Sequence, residues 1–207
     1  MKRYSLILCL VLIVSISGVA SAQIVLGPPA AGGVFRSIFT YSTWTITSYS
    51  NVYTTPYVGG SVYTGTTSFF YSAAQGAFEF DLSPAIPPTF TSNNFTAKLD
   101  GLSVTFSYGT GAMNVDLFDM GDSTEDGAIT VGDFNSTRGS PIATLPHVFG
   151  GAPADFNNVN VTNAVRRDLF GAGQSSDFSG FILKPNLNAQ IQLVAYEPTT
   201  PTLTINL

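Results

Sequence analysis

LSVTFSYGTGAMNVDLF, residues 102–118, decides the fold class. Leu102, Val104, Phe106 and Tyr108 alternate with Ser103, Thr105 and Ser107, a period of two that suits a strand with one buried face. After the turn signal Gly109-Thr110-Gly111, alternation resumes through Met113, Val115 and Leu117. The stretch predicts a β-hairpin closed by a three-residue loop containing Gly. The same signal recurs outward from it. GFILK (180–184), QIQLVAY (190–196) and TLTINL (202–207) read as strands, separated by Gly, Pro and Asn clusters. Residues 39–71 are dense in Tyr, Thr and Ser and suit two or three amphipathic strands. One segment alone has helical spacing, NVNVTNAVRRDLFGAG (158–173). It offers Thr162 as N-cap, Val165 and Leu169 at i and i+4, and Gly171 where the helix should stop. The expected fold is therefore all-β: a jelly-roll-like antiparallel β-sandwich with one short helix.

The chain opens MKRYSLILCLVLIVSISGVASAQ. Lys2 and Arg3, the apolar run Leu6–Ile16 and the small-x-small site Ala20-Ser21-Ala22 have the form of a secretory signal peptide, residues 1–22. The apolar run is short for a membrane span. Cleavage after Ala22 leaves 185 of the 207 residues, read as an N-terminal arm, 23–34, and a single domain, 35–207. The only cysteine, Cys9, lies in the leader. The mature chain thus has no disulfide, thiolate nucleophile or Cys-based metal site.

Two of the eight basic residues also fall in the leader, leaving six against 13 acidic ones. Nucleic acid needs a basic stripe, and the six are scattered apart from Arg166-Arg167. No second apolar run could span a bilayer after signal cleavage. A secreted, extracellular or cell-surface location is expected.

Three blocks carry a resemblance: GAFEFDLSPAIPP (76–88), NVNVTNAVRRDLFGAGQSSDFSGFILKP (158–185) and IQLVAYEPTTPTLTINL (191–207). Together they resemble the DNRLRE-type, disaggregatase-related β-sandwich modules of secreted microbial proteins. Asn160 stands where that family usually has Asp, and Thr200 where it often has Arg. The resemblance implies a non-catalytic jelly roll of surface, matrix or polysaccharide-related proteins. Related secreted domains also often carry a GDG-x-V-T-x-x-D-F stretch at this point, after the central hairpin. This implies a structural turn here, with Gly127 at positive φ and Thr130 capping a short helical turn.

GDSTEDGAITVGDF, residues 121–134, has a second reading as a calcium loop. With Gly127 at the sharp bend, Asp122, Thr124 and Asp126 precede it at alternate positions. The Ala128 carbonyl, Thr130 and Asp133 follow, an oxygen-rich spacing that suits calcium. Thr124 replaces the usual carboxylate or amide, and no helix enters the loop. The polar turn and the calcium site both remain open.

Elsewhere the signals for chemistry are sparse. His147 is the only histidine, and no GxSxG motif accompanies it. Glu79 and Asp81 share a strand face opposite Phe78 and Phe80. Glycosidases use two carboxylates, but Asp81 suits the start of a turn and Glu79 a solvated position. Trp44, Tyr49, Tyr53 and Tyr57 are either core aromatics or a platform on which sugar rings stack. The expected function is a secreted, non-enzymatic structural, cell-surface or matrix component that assembles with copies of itself. The alternative is a calcium-assisted carbohydrate-binding module whose partner is surface polysaccharide.

Overall fold

Alternation places Phe78 and Phe80, Leu102 and Val104, Val115 and Leu117, and Leu203 and Ile205 on faces that two antiparallel sheets bury against each other. The computed structural model describes residues 23–28, 30–41, 44–53, 58–64, 68–83, 95–110, 112–121, 124–148, 154–171, 177–186 and 191–207. One sheet has four strands in the order β1 (Gln23–Leu26), β14 (Thr202–Asn206), β6 (Thr96–Asp100) and β11 (Val159–Asn160). The other has ten. Its main path runs β10 (Ala154–Phe156), β7 (Leu102–Thr110), β13 (Ile191–Pro198), β4 (Val58–Thr64), β5 (Ser68–Asp81), β12 (Phe178–Asn186), β8 (Ala112–Met120) and β9 (Thr137–Val148). Off this path, β2 (Ala30–Tyr41) pairs with β5 and β3 (Trp44–Tyr53) pairs with β2.

The long strand β5 organises the larger sheet. One edge carries β2 along its length, from Glu79 opposite Ala30 to Ser68 opposite Tyr41. The other edge is shared: β4 pairs with Phe69–Ala74 and β12 with Gly76–Asp81. At Gln75 the sheet therefore forks into a branch through β4, β13 and β7 and a branch through β12, β8 and β9.

That fork corrects the hairpin expected at residues 102–118. Both strands exist, with Gly111 alone between them, but they do not pair with each other. β7 lies between β10 and β13, and β8 between β12 and β9. Alternation specified the buried faces correctly, since Leu102, Val104, Val115 and Leu117 are all fully buried. It carries no information about the partner, which depends on strands distant in sequence.

The core joins Phe78, Phe80, Phe181 and Leu183 of the larger sheet to Ala97, Leu99, Leu203 and Ile205 of the smaller one. Phe80 and Phe181 meet edge-on, with ring centroids 6.0 Å apart. Each such large apolar side chain contributes roughly 1.5–3 kcal/mol by leaving water.

The helix, α1, spans Thr162–Phe170 and turns Ala164 and Val165 into this core. It starts one residue earlier than expected. Val161 holds the N-cap position, and Thr162 lies inside the first turn. The Thr162 hydroxyl instead serves β6: it accepts from Ala97 N at 2.9 Å and donates to Ala97 O at 3.3 Å. Gly171 closes the helix by donating its N–H to Arg167 O.

Residues 23–34 supply β1 and the start of β2, both paired within the chain. No helix among the described residues is long and apolar enough to cross a membrane.

Candidate functional site

The loop after β8, described at residue 121 and over residues 124–136, lies over the outer face of the larger sheet. Its conformation follows from local chemistry. Gly127 has φ +83°, a region open to Gly. A Cβ there would come within 2.7 Å of the Phe178 ring. The Asp126 carboxylate is exposed and accepts from Ala128 N at 3.0 Å. Thr130 caps the 3₁₀ turn Val131–Asp133, accepting from Gly132 N at 3.1 Å. Asp133 reaches back to accept from Thr130 N at 2.5 Å, completing a capping box. Positive φ at Gly127 and a Thr130 cap are both as the resemblance implied.

Four further contacts hold the loop down. Gln75 and Asn135 exchange two hydrogen bonds, each 2.9 Å long. Thr124 donates to Gly121 O and shares a 2.5 Å bond with Ser136 Oγ. Glu79 Oε2 accepts from Gly127 N at 2.5 Å. Glu125 Oε1 accepts from Gly180 N at 2.8 Å. Gly180 makes this last approach feasible, since a Cβ there would lie 2.8 Å from Met120 and 3.1 Å from Glu125 Cγ.

Glu79 is thus fully buried rather than solvated, and this is a correction. Its alternation with Phe78 and Phe80 placed it on the face away from the core, but the loop covers that face. Burial pushes its carboxyl up to about 7, against the Gly127 N–H bond and with help from the nearby Asp133 and Asp126 charges. Its Oε1 is buried with no hydrogen-bond partner among the described residues. Asp81 behaves as expected, accepting from Ser83 N at 2.9 Å and Ser83 Oγ at 2.6 Å.

A second acidic group lies where the loop meets α1. Asp119, Glu125 and Asp168 are buried, with carboxylate oxygens all within 4.8 Å of one another. Arg167 joins two of them, with Nη1 and Nη2 on Asp119 and Nη2 also on Asp168. Ser179 Oγ donates to Asp168 at 2.6 Å. Burial, then the Asp168 charge, pushes Glu125 up to about 9, and burial pushes Asp168 up to about 6. Glu125 is therefore a neutral acid at pH 7, which leaves Arg167 facing two carboxylates rather than three.

Of the six residues proposed for calcium, Asp126, Ala128, Thr130 and Asp133 come together in the turn. Thr124 bonds back to the loop's base, and Asp122 lies outside the described residues. Burial raises the Asp133 carboxyl above its ordinary range. Sequence reasoning missed Glu79 and Glu125 as parts of this site. Nothing in the spacing marks Glu125, and only the loop's position over the sheet buries Glu79. Of the four aromatics proposed for glycans, Trp44, Tyr49 and Tyr53 fall on β3, and Tyr57 lies outside the described residues. Cα atoms of β3 and of the 3₁₀ turn approach within 8 Å. His147 falls on β9. Compared with known proteins, the chain matches no family model, no curated protein and no solved structure.

Proposed function

We propose that the mature chain is a secreted, non-catalytic β-sandwich, a structural component of a cell surface or extracellular matrix that associates with copies of itself. This accords with its resemblance to DNRLRE-type modules. The observation that carries the reading is how the acidic side chains are used. Glu79, Glu125, Asp126 and Asp133 each accept a backbone N–H of the fold itself, and Asp119 and Asp168 hold Arg167. Glu79 and Glu125 thereby fasten a long loop to a sheet, and Asp126 and Asp133 brace that loop on itself, as a rigid exterior building block requires. Negative-stain microscopy of the mature protein over a range of concentrations, with and without residues 23–33, tests it. Ordered assemblies are expected from the intact mature chain. Discrete monomers at every concentration overturn self-association.

The alternative reading is a calcium-assisted carbohydrate-binding module. Two observations favour it: the proximity of the 3₁₀ turn to the strand bearing Trp44, Tyr49 and Tyr53, and the buried Glu79 oxygen with no hydrogen-bond partner among the described residues. It predicts calcium-dependent retention on a panel of polysaccharides that is lost in Trp44→Ala with the fold intact by circular dichroism. No retention on a broad panel removes it.

A further inference from the structure

We propose that β1 is an exchangeable strand: in the assembled protein, Gln23–Leu26 of one copy lies on β14 of a second copy, in the register it holds on its own. The proposal rests on the self-associating reading above and gives it a contact. Among the described residues β1 pairs with β14 alone, Gln23 opposite Asn206, Ile24 opposite Ile205, Val25 opposite Thr204 and Leu26 opposite Leu203. It is four residues long and at the sheet's edge, and Val25 is 58% exposed. Its hold is therefore small beside that of the strands around it.

The place it occupies is demanding. Ile24 and Leu26 pack on the core beside Ile205 and Leu203. When β1 leaves, β14 presents a row of unpaired backbone groups beside an uncovered edge of the core. The segment that fits by both register and side chains is the same strand, so the partner is a second copy of this chain. Exchange then returns the contacts it removes, and concentration sets the balance.

The connection supports departure. Gly27-Pro28-Pro29 joins β1 to β2, crossing from the smaller sheet to the larger. β2 is held on both sides, by β3 and by β5, so the rest of the sandwich keeps its pairing without β1. Consecutive prolines favour an extended conformation of about 3.1 Å per residue, which carries the strand outward. One copy donates at β1 and accepts at β14. If two copies do not reciprocate, the contact is heterologous and propagates as a chain of subunits.

Cysteine pairing tests this cleanly, because the mature chain has no cysteine of its own. Val25→Cys and Thr204→Cys are purified separately, mixed and oxidised, and the products are run without reductant. A covalent heterodimer is expected, at least tenfold above the dimer formed by either variant alone. The double variant should close within one chain when oxidised as monomer, lock β1 at home and stop assembly until reductant is added. A Gln23→Cys and Asn206→Cys pair, at the strand's outer end, repeats the test should Thr204→Cys disturb the fold. Ready closure within the double variant and no heterodimer in the mixture overturn the exchange. Assembly by the locked double variant likewise ends the exchange but leaves self-association standing. Monomers from wild type and variants alike end both.

Discussion

Gly127 is where the two readings of the loop meet, and its neighbours show what holds it. Positive φ and the Phe178 ring beneath it leave no place for a side chain. Gly127→Ala should cost about 1–3 kcal/mol, the range for a strained backbone position combined with overpacking, measured by urea unfolding. An unchanged midpoint would mean that the loop moves away freely. The glutamates below it make a pH prediction. Glu125 and Glu79 have folded values of about 9 and about 7, above the ordinary 4.5. Their neutral forms are favoured in the folded state. The stability they lend is complete below pH 4.5 and is lost as pH rises, through about 7 for Glu79 and about 9 for Glu125. The melting temperature should therefore fall from pH 5 to pH 9. Glu125→Gln keeps an acceptor for Gly180 N–H but cannot ionise. It should abolish the fall between pH 7 and 9 and leave below 7 only the part that Glu79 and Asp168 carry, as read by thermal melts across that range.

Helix α1 is fastened to the larger sheet by charge as well as by apolar packing. Arg167 bridges Asp119 of β8 to Asp168, and Asp168 accepts from Ser179 of β12. Arg167→Met would leave two buried carboxylates facing each other. The guanidinium is 23% exposed, so the cost should fall at about 2–3 kcal/mol, below the 3–5 typical of a fully buried pair. Asp168 is pushed up to about 6, so at pH 5 it takes a proton and the penalty shrinks. Urea unfolding of the variant and wild type at pH 7 and pH 5 measures both effects. An equal difference at the two pH values would show that the lost packing of the side chain, not its charge, is what matters.

Across the whole molecule, the acidic trio of metal-binding spacing among the described residues is Asp119, Glu125 and Asp168, while the loop that covers the larger sheet also brings the Asp126 and Asp133 charges near Glu79 of β5. A divalent cation bound there would relieve their mutual repulsion and favour the folded state by mass action. With calcium at a hundredfold excess over its dissociation constant, the gain is about 2.7 kcal/mol. Melting curves in calcium and in chelator, for wild type and for Asp126→Asn, check this. A calcium-dependent rise that shrinks in the variant supports the site. Identical melting temperatures in calcium and chelator reduce the loop to the hydrogen-bonded turn described above.

What the sequence determined by itself is local. Period-two alternation at 102–108, 113–117 and 202–207 placed strands on the chain and chose their buried faces, because a pleated strand sends successive side chains to opposite sides. The spacing of Val165 and Leu169 placed the helix. Gly127, Thr130 and Asp133 specified their own turn, since φ, capping and the return hydrogen bond all act within a few residues. Tertiary structure alone decided the rest. Strands β7 and β8 adjoin in sequence but pair elsewhere, because hydrogen-bonded neighbours are chosen by the fork at β5. Thr162 lost its capping role to a strand edge 65 residues away. Glu79 and Glu125 became buried acids only when the loop closed over the sheet, for burial and the charges around a group are properties of the packed chain and not of its order.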